Sequence, residues 1–305
     1  MKNFLSAVAV SVALTAPVCA QDFVKGGSAY FAGDYATALQ ELRPLAEQGN
    51  LDAQNILGMM YRDGEGVPQD YKEAAKWYRK SAEQGDVGAQ KLLAWMYYDG
   101  EGVPQDYKES VKWFRKAAEQ GDDYSQLKLG NMYYNGEGVP QDYKEAAKWY
   151  RKSAEQGLDY SQLSLGYMYR DGQGVPQDYK ESVKWFRKAA EQGNADAQNS
   201  LGVMYQTGRG VPHDYKEAVK WYRLAAEQAL AEAQNNLSLS YALGLGVPPD
   251  IALAHMWANI SGANGFEGAV KPRDHLGKEM TPQDISKAQA MARECMGSNY
   301  QNCGD

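Results

Sequence analysis

One segment of the sequence carries residue types that could perform nucleophilic catalysis. Residues 125–128 read Ser-Gln-Leu-Lys, and a lysine three residues after a serine belongs to the acyl-transfer chemistry of penicillin-binding proteins and beta-lactamases. That chemistry also uses a Lys-Thr-Gly element, which the sequence lacks, and the tripeptide Tyr-Gln-Asn at 300–302 lies far along the chain. Because an isolated motif is weak evidence, we do not expect an enzyme.

Side chains that could hold a metal ion are also sparse. The histidines His213, His255 and His275 have no metal-ligand spacing and no neighbouring cysteine. The loop that contains Asp63 and Glu65 is a candidate for calcium. Such a loop offers only two or three acidic groups, whereas calcium takes six or more oxygen ligands. We therefore expect no metal and no cofactor.

The N-terminus has the pattern of a cleavable leader. A basic start at Lys2 precedes the apolar run Phe4–Thr15, which is too short to span a bilayer, and small residues precede Gln21. We predict a signal peptide over residues 1–20 and a periplasmic or secreted protein. The alternative is a lipoprotein anchored at Cys19, but Val18 stands where a small residue is expected.

Loss of this leader would leave Cys295 and Cys303 as the cysteines of the mature chain. In an oxidising compartment such a pair predicts a disulfide. The alternative is two free thiols on a frayed tail. The leader also contains Lys2, so the mature chain would hold 31 basic and 39 acidic residues. This acidic balance argues against nucleic acid as a partner, and no later stretch is apolar enough to cross a membrane.

The chain is built from an internal repeat of 36 residues. A tryptophan and a Gly-Val-Pro segment each recur six times with this period and no insertion. The tryptophans are Trp77, Trp113, Trp149, Trp185, Trp221 and Trp257, and the Gly-Val-Pro segments begin at Gly66, Gly102, Gly138, Gly174, Gly210 and Gly246. A period of this length indicates a repeat architecture.

Each repeat has the pattern of two helices joined by a glycine loop. Ala53, Leu57 and Tyr61 lie at helical spacing on a first helix, called helix A here. Glycines and a proline then interrupt the helix. Asp70 followed by Glu73 predicts an acidic capping box at the start of a second helix, helix B.

These residues carry a resemblance to a known family. The unit Ala-Gln-x-x-Leu-Gly-x-Met-Tyr-x-x-Gly-x-Gly-Val-Pro-x-Asp-Tyr-Lys-Glu-Ala-x-Lys-Trp-Tyr resembles the Sel-one-like repeat (SLR), a relative of the tetratricopeptide repeat (TPR). The resemblance implies an all-α, right-handed superhelical solenoid of antiparallel helix pairs that binds proteins or peptides. We assign residues 52–267 to six repeats, 21–51 to a TPR-like N-terminal capping unit and 268–305 to a C-terminal capping helix and tail.

Within this nearly invariant framework, three helix-A positions vary from repeat to repeat. Their spacing of three and four residues places them on one stripe of the helix, and the resemblance implies that helix A lines the concave surface. The predicted ligand-binding residues are Lys91, Trp95, Tyr98, Leu127, Asn131, Tyr134, Leu163, Tyr167 and Arg170. The alternative is that these residues vary by drift, or that the aromatic ones pack between repeats.

We therefore expect an exported scaffold or adaptor that binds a protein or peptide partner through the concave helix-A surface. A factor that binds cell-envelope glycan, or one directed at a host, would share the fold but not the ligand. A beta-lactamase or penicillin-binding enzyme ranks below both. Some cysteine-rich relatives of the repeat family are described in those terms, but their paired cysteines are absent from every repeat of this chain.

Overall fold

The computed structural model describes residues 16–300 and Cys303, with side chains from Phe23 onward. The whole predicted leader, residues 1–20, and its cleavage site therefore lie outside the residues whose side chains are described. The backbone of the first helix begins at Ala16, within the predicted leader.

The described residues form sixteen α-helices and one short 3-10 turn, Glu267–Ala269, and no strand occurs among them. The helices are α1 (Ala16–Phe31), α2 (Tyr35–Glu47), α3 (Leu51–Asp63), α4 (Tyr71–Glu83), α5 (Val87–Asp99), α6 (Tyr107–Glu119), α7 (Asp123–Asn135), α8 (Tyr143–Glu155), α9 (Asp159–Asp171), α10 (Tyr179–Glu191), α11 (Ala195–Thr207), α12 (Tyr215–Ala226), α13 (Ala231–Leu243), α14 (Ile251–Ala263), α15 (Val270–Glu279) and α16 (Pro282–Gly297). Within the described part of the chain, no helix combines the length and apolar character needed to cross a bilayer.

These helices belong to two compact units. The first unit extends to Ser125 and includes residues 137–140, and the second comprises residues 126–136 and the chain from Gln141 onward. In the first unit each helix from α1 to α5 packs on its successor. In the second unit the helices from α8 to α14 do the same, and α15 and α16 both pack on α14. The predicted all-α arrangement of helix pairs is confirmed.

A glycine of helix A allows the two helices of a repeat to approach closely. A Cβ atom on Gly58 would lie 2.5 Å from the ring of Tyr78, which is fully buried on α4. The same contact recurs in the pairs Gly130–Tyr150, Gly166–Phe186 and Gly202–Tyr222. Burial of a large ring against a bare helix backbone therefore holds the pair together.

The predicted capping box at the start of helix B forms only in part. The Asp70 carboxylate accepts hydrogen bonds from the backbone N–H groups of Lys72 and Glu73, at 2.9 and 3.1 Å. The reciprocal bond from Glu73 was a wrong expectation. The backbone N–H of Asp70 instead donates to the Tyr61 carbonyl oxygen at 2.8 Å, which closes the loop, and the Glu73 carboxylate pairs with Lys76.

A buried glutamine of helix A links its repeat to the preceding helix B and to the end of its own repeat. The Gln198 side chain is only 5% exposed, and its Nε2 donates to the Ala190 carbonyl oxygen at 3.1 Å. Its Oε1 accepts a hydrogen bond from Gln228 Nε2 at 2.9 Å. The same two bonds form at Gln54, Gln90, Gln162 and Gln234. The recurrent glutamine, which follows an alanine or a serine, thus supplies a polar connection inside the stack, because a buried amide must satisfy its donors and acceptors.

The C-terminal region contains one helix more than the sequence pattern predicts. Thr281 caps α16 as expected, since its side chain accepts a hydrogen bond from the Asp284 backbone N–H at 3.2 Å. The preceding helix, α15, was not predicted. The structure joins the sulfur atoms of Cys295 and Cys303, whose Cα atoms are 4.7 Å apart, a separation that a disulfide spans.

Candidate functional site

The predicted surface residues of helix A have different surroundings, and Lys91 is held by an ion pair. Its Nζ lies 2.7 Å from the Asp122 carboxylate, which also accepts a 2.7 Å hydrogen bond from the Ser125 backbone N–H. Burial opposes ionisation of Asp122, but the hydrogen bonds from Lys91 and Ser125 outweigh it and hold the pKa of this carboxyl below its ordinary value. Lys91 therefore connects α5 to the residue that caps the next helix A.

Trp95 connects the core of the first unit to its surface. Its ring lies edge-on to the fully buried ring of Phe114, with centroids 5.5 Å apart. On its other sides it contacts Tyr98 at 5.4 Å and Tyr124 at 6.2 Å. Tyr124 is 37% exposed. Trp95, Tyr98 and Tyr124 form a cluster, named the Trp95 patch here. The buried ring of Phe114 packs against this patch, and Tyr124 exposes the patch to solvent.

Tyr98 and Tyr134 each hold the loop of the following repeat. Tyr98 donates its hydroxyl hydrogen to Glu137 at 3.0 Å, and burial together with this bond raises the pKa of Tyr98 to about 12. Tyr134 donates to Gln173 at 2.8 Å in the second unit. In each case the ring also packs edge-on against the first tyrosine of helix B. Both hydroxyls are therefore engaged within the chain.

Two of the predicted contact residues are buried, and a third, Asn131, is hydrogen-bonded within the chain. Leu127 is 7% exposed and Leu163 is 9% exposed, and both belong to hydrophobic clusters of the core. Asn131 accepts a hydrogen bond from the Tyr150 hydroxyl at 2.7 Å. Prediction of the two leucines as surface residues was wrong, because this edge of the stripe turns toward helix B and is covered by it.

Tyr167 and Arg170 form a partly buried pair on α9. The Arg170 guanidinium lies 4.7 Å from the centroid of the Tyr167 ring, within the range of a cation–π contact. Arg170 also forms an ion pair with Asp171 at 2.7 Å. The Tyr167 hydroxyl lies 3.0 Å from Ser200 Oγ, and burial raises its pKa.

Two exposed tyrosines were not predicted. Tyr124 and Tyr160 occupy the second position of helices α7 and α9 and are 37% and 60% exposed. The equivalent residues of the other repeats are Asp52, Gly88, Asp196 and Glu232. The signal that could have identified them is an aromatic residue at a position that is acidic or glycine in the other repeats. Asn131 occupies the repeat position that Trp95 occupies one repeat earlier. Tyr160 therefore has no indole at the position from which Trp95 contacts Tyr124.

The serine of the Ser-Gln-Leu-Lys segment is covered in the structure. The side chain of Ser125 has no exposed surface, and its hydroxyl lies at the packed position that Ala53 and Ala89 occupy in other repeats. A nucleophile must reach the substrate carbonyl, and a covered hydroxyl cannot. Among residues 16–300 and Cys303, no group of three or more His, Cys, Asp or Glu side chains is placed to hold a metal ion.

The packed helix pairs, glycine contacts and interrepeat glutamines define a helical repeat protein. The Sel1 repeat matches the chain over six consecutive units, at residues 51–86, 87–122, 123–158, 159–194, 195–230 and 231–266. The chain belongs to the Sel1 repeat family, whose members are generally protein-interaction scaffolds. The matched units begin one residue before the predicted ones, at the first residue of each helix A.

Solved structures of bacterial repeat proteins are similar to this chain. A Sel1 repeat protein from Oxalobacter formigenes has 35% sequence identity and a TM-score of 0.65, with 79% of this chain and 96% of that chain covered. The protein c5321, a protective antigen of uropathogenic Escherichia coli with an SLR fold, has 27% identity and a TM-score of 0.50, with 92% and 93% covered. No curated protein sequence matches the chain.

Proposed function

We propose that the protein is an exported repeat scaffold that binds a protein or peptide partner through exposed aromatic residues of helix A. The first unit presents the Trp95 patch, and the second unit presents Tyr160. The observation that carries the proposal is the exposure of Tyr124 and Tyr160 on α7 and α9. Rigid aromatic side chains lose little conformational entropy on binding and are enriched among the residues that dominate interface energies. Trp95, which packs on Phe114, supports Tyr124 from within the first unit.

The surface of helix B is less suited to specific recognition. Its lysines form ion pairs with glutamates three residues earlier, as Lys148 does with Glu145 at 2.7 Å. The next lysine, Lys152, lies over the ring of Trp149 at 4.3 Å. Exposed pairs of this type contribute little to affinity. Partner contacts therefore concentrate on helix A, where residue identity changes between repeats.

Two observations support export. The sequence of residues 1–20 has the order of a secretory leader, and Cys295 and Cys303 lie at disulfide distance near the C-terminus. The similar Escherichia coli protein is described as a protective antigen, which favours a host-directed binding role as the second candidate function. The covered hydroxyl of Ser125 argues against an acyl-transfer enzyme.

Site-specific photocrosslinking in the native cell tests the proposed surface. A benzophenone amino acid at residue 124 or 160 is expected to capture the same partner, because both side chains reach solvent on helix A. The matched control is the same amino acid at Lys148, whose side chain is 68% exposed on helix B. Capture at residue 148 without capture at either tyrosine position would show that the partner contacts helix B.

A further inference from the structure

The C-terminal helices α14, α15 and α16 of the second unit surround a pocket. Its volume is about 480 Å³, which lies within the range of small-molecule sites. Residues of α14, α15 and α16 line it: His255, Asn259, Arg273, Asp274, Gly277, Lys278, Ile285 and Gln289.

His255 is a buried polar side chain that borders this pocket. It is 4% exposed and stands where the earlier repeats place Ala75, Val111, Ala147, Val183 and Val219. The Asn259 amide nitrogen lies 2.9 Å from Nδ1. When this amide donates to Nδ1, the proton of the neutral ring is on Nε2, which then becomes a donor. Burial lowers the pKa of His255 and so favours the neutral ring.

Gly277 keeps the space in front of this donor open. A Cβ atom on residue 277 would lie 3.7 Å from His255 Nε2 and 3.9 Å from Ile285 Cδ1, which are ordinary contact distances. Alanine would therefore fit within α15 and would favour the helix more than glycine does. Its methyl group would, however, lie in contact with Nε2 and would crowd a ligand atom that accepts a hydrogen bond from it.

The charged groups of the pocket leave one positive charge in excess when His255 is neutral. Arg273 and Lys278 are cationic, and Asp274 is the one acidic residue of the lining. Arg273 uses Nε and Nη2 to donate to Asp274 Oδ1, at 2.9 and 2.7 Å. Because a guanidinium has five N–H donors, others are available to a ligand. The lining residues of α16, Ile285 and Gln289, carry no charge.

We propose that this pocket binds the carboxylate of a small organic acid or of a peptide C-terminus. A carboxylate carries the single negative charge that the lining lacks, and its two oxygens can accept hydrogen bonds from His255 Nε2 and the Arg273 guanidinium. Lys278 adds charge at the rim, and Ile285 provides an apolar wall for the carbon chain. This site is independent of the helix-A surface, so the two proposals succeed or fail separately.

Titration followed by NMR of the histidine rings tests the site on the mature full-length chain. The probes are succinate, tri-alanine, tri-alanine with an amidated C-terminus, and inorganic phosphate. His213 and His275 serve as internal references, and the His255→Gln variant assigns the signals. We expect a saturable shift of the His255 signal with succinate or tri-alanine and none with the amide. Response to succinate alone identifies a free acid as the ligand, and response to tri-alanine alone identifies a peptide C-terminus.

A glycine pair provides the matched variants. Gly277→Ala is expected to weaken probe binding about tenfold, as expected for loss of one buried hydrogen bond, while the thermal midpoint stays equal or rises. Gly262→Ala, on α14 with no atom within 4 Å of the new Cβ, is expected to bind as the wild type does. Absence of a saturable shift with both acids, tighter binding of phosphate, or unchanged binding by Gly277→Ala would overturn the proposal.

Discussion

The backbone of Gly174 lies directly against the carbonyl oxygen of Tyr143 in the preceding repeat. A Cβ atom on residue 174 would be 2.1 Å from that oxygen, and the φ angle of Gly174 is +68°. The same contact recurs between Gly246 and Tyr215, and between Gly102 and Tyr71. Helix A is already ended by the glycine two residues earlier, which is Gly172 in this repeat, so the glycine of the Gly-Val-Pro segment has a separate role. It allows one repeat's loop to rest on the first turn of the previous repeat's helix B.

The first prediction compares two glycines with positive φ. Gly174→Ala is expected to destabilise the protein by about 3 kcal/mol or more, because a left-handed backbone and a clash with Tyr143 act together. Gly157→Ala is the matched control: its φ is +108°, but no atom lies within 4 Å of the new Cβ. Strain alone should cost about 1–2 kcal/mol. Equal urea midpoints for the two variants would show that the contact between residue 174 and the Tyr143 carbonyl oxygen adds no destabilisation.

The second prediction concerns the recurrent tryptophan. Trp149 is 5% exposed, so Trp149→Ala should lower the free energy of unfolding by about 3–5 kcal/mol. Lys148→Ala on the same helix is expected to change it by less than about 0.5 kcal/mol. Urea unfolding followed by circular dichroism measures both. A loss below about 1 kcal/mol for Trp149→Ala would mean that the stack does not depend on this ring.

Much of the fold could be predicted because the same physical constraints act on every repeat. Periodic tryptophans and glycines identified the units, and Asp70 and Thr281 marked helix starts that the structure contains. The contact at Gly174 could not be predicted, because it joins two backbones that are distant in sequence. The role of Gln198 was missed for a similar reason, since one of its partners lies on α10 and the other in the turn after α12.

The candidate site was predicted less well than the fold. Residue spacing shows which residues share a face of a helix, but it does not show how many of them a neighbouring helix covers. Leu127 and Leu163 were therefore placed on the surface although helix B covers them. Tyr124 and Tyr160 were missed because they lie at the first turn of helix A, outside the stripe chosen from the variable positions. Comparison of every position across the six repeats would have included them.

The third prediction concerns the cysteines of the mature protein. We expect mass spectrometry of unreduced material to show a mass about 2 Da below that of the dithiol form, since a disulfide forms with loss of two hydrogens. Cys295→Ser is the control and should leave Cys303 reactive toward alkylating reagents. Alkylation of both cysteines in freshly isolated wild-type protein would rule out the bridge.

The fourth prediction concerns the pH dependence of stability. Burial lowers the pKa of His255 below its ordinary value of 6.5, and the charge of Arg273 lowers it further while Asp274 opposes the shift. The unfolded chain therefore takes up a proton at higher pH than the folded chain. The contribution of His255 to stability is complete above pH 6.5 and decreases as the pH falls toward the folded-state pKa.

The His255→Gln variant should accordingly lose less stability than the wild type between about pH 8 and about pH 5. His275→Gln is the control, because the His275 side chain is 75% exposed. Thermal midpoints measured across this range distinguish the two variants. Parallel curves for the wild type and His255→Gln would show that the imidazole titrates equally in the folded and unfolded chains.

The most direct test of the central claim measures partner binding by tyrosine variants, with the partner identified by crosslinking. Tyr124→Ala combined with Tyr160→Ala should leave helicity unchanged and weaken binding by about 2 kcal/mol, or roughly thirtyfold in Kd, as expected for two anchors. Tyr71→Ala is the matched control, because Tyr71 is 36% exposed at the start of helix B and Tyr124 is 37% exposed. Isothermal titration calorimetry is expected to give a Kd near that of the wild type for Tyr71→Ala. A double variant that folds and binds with unchanged Kd would contradict recognition through helix A.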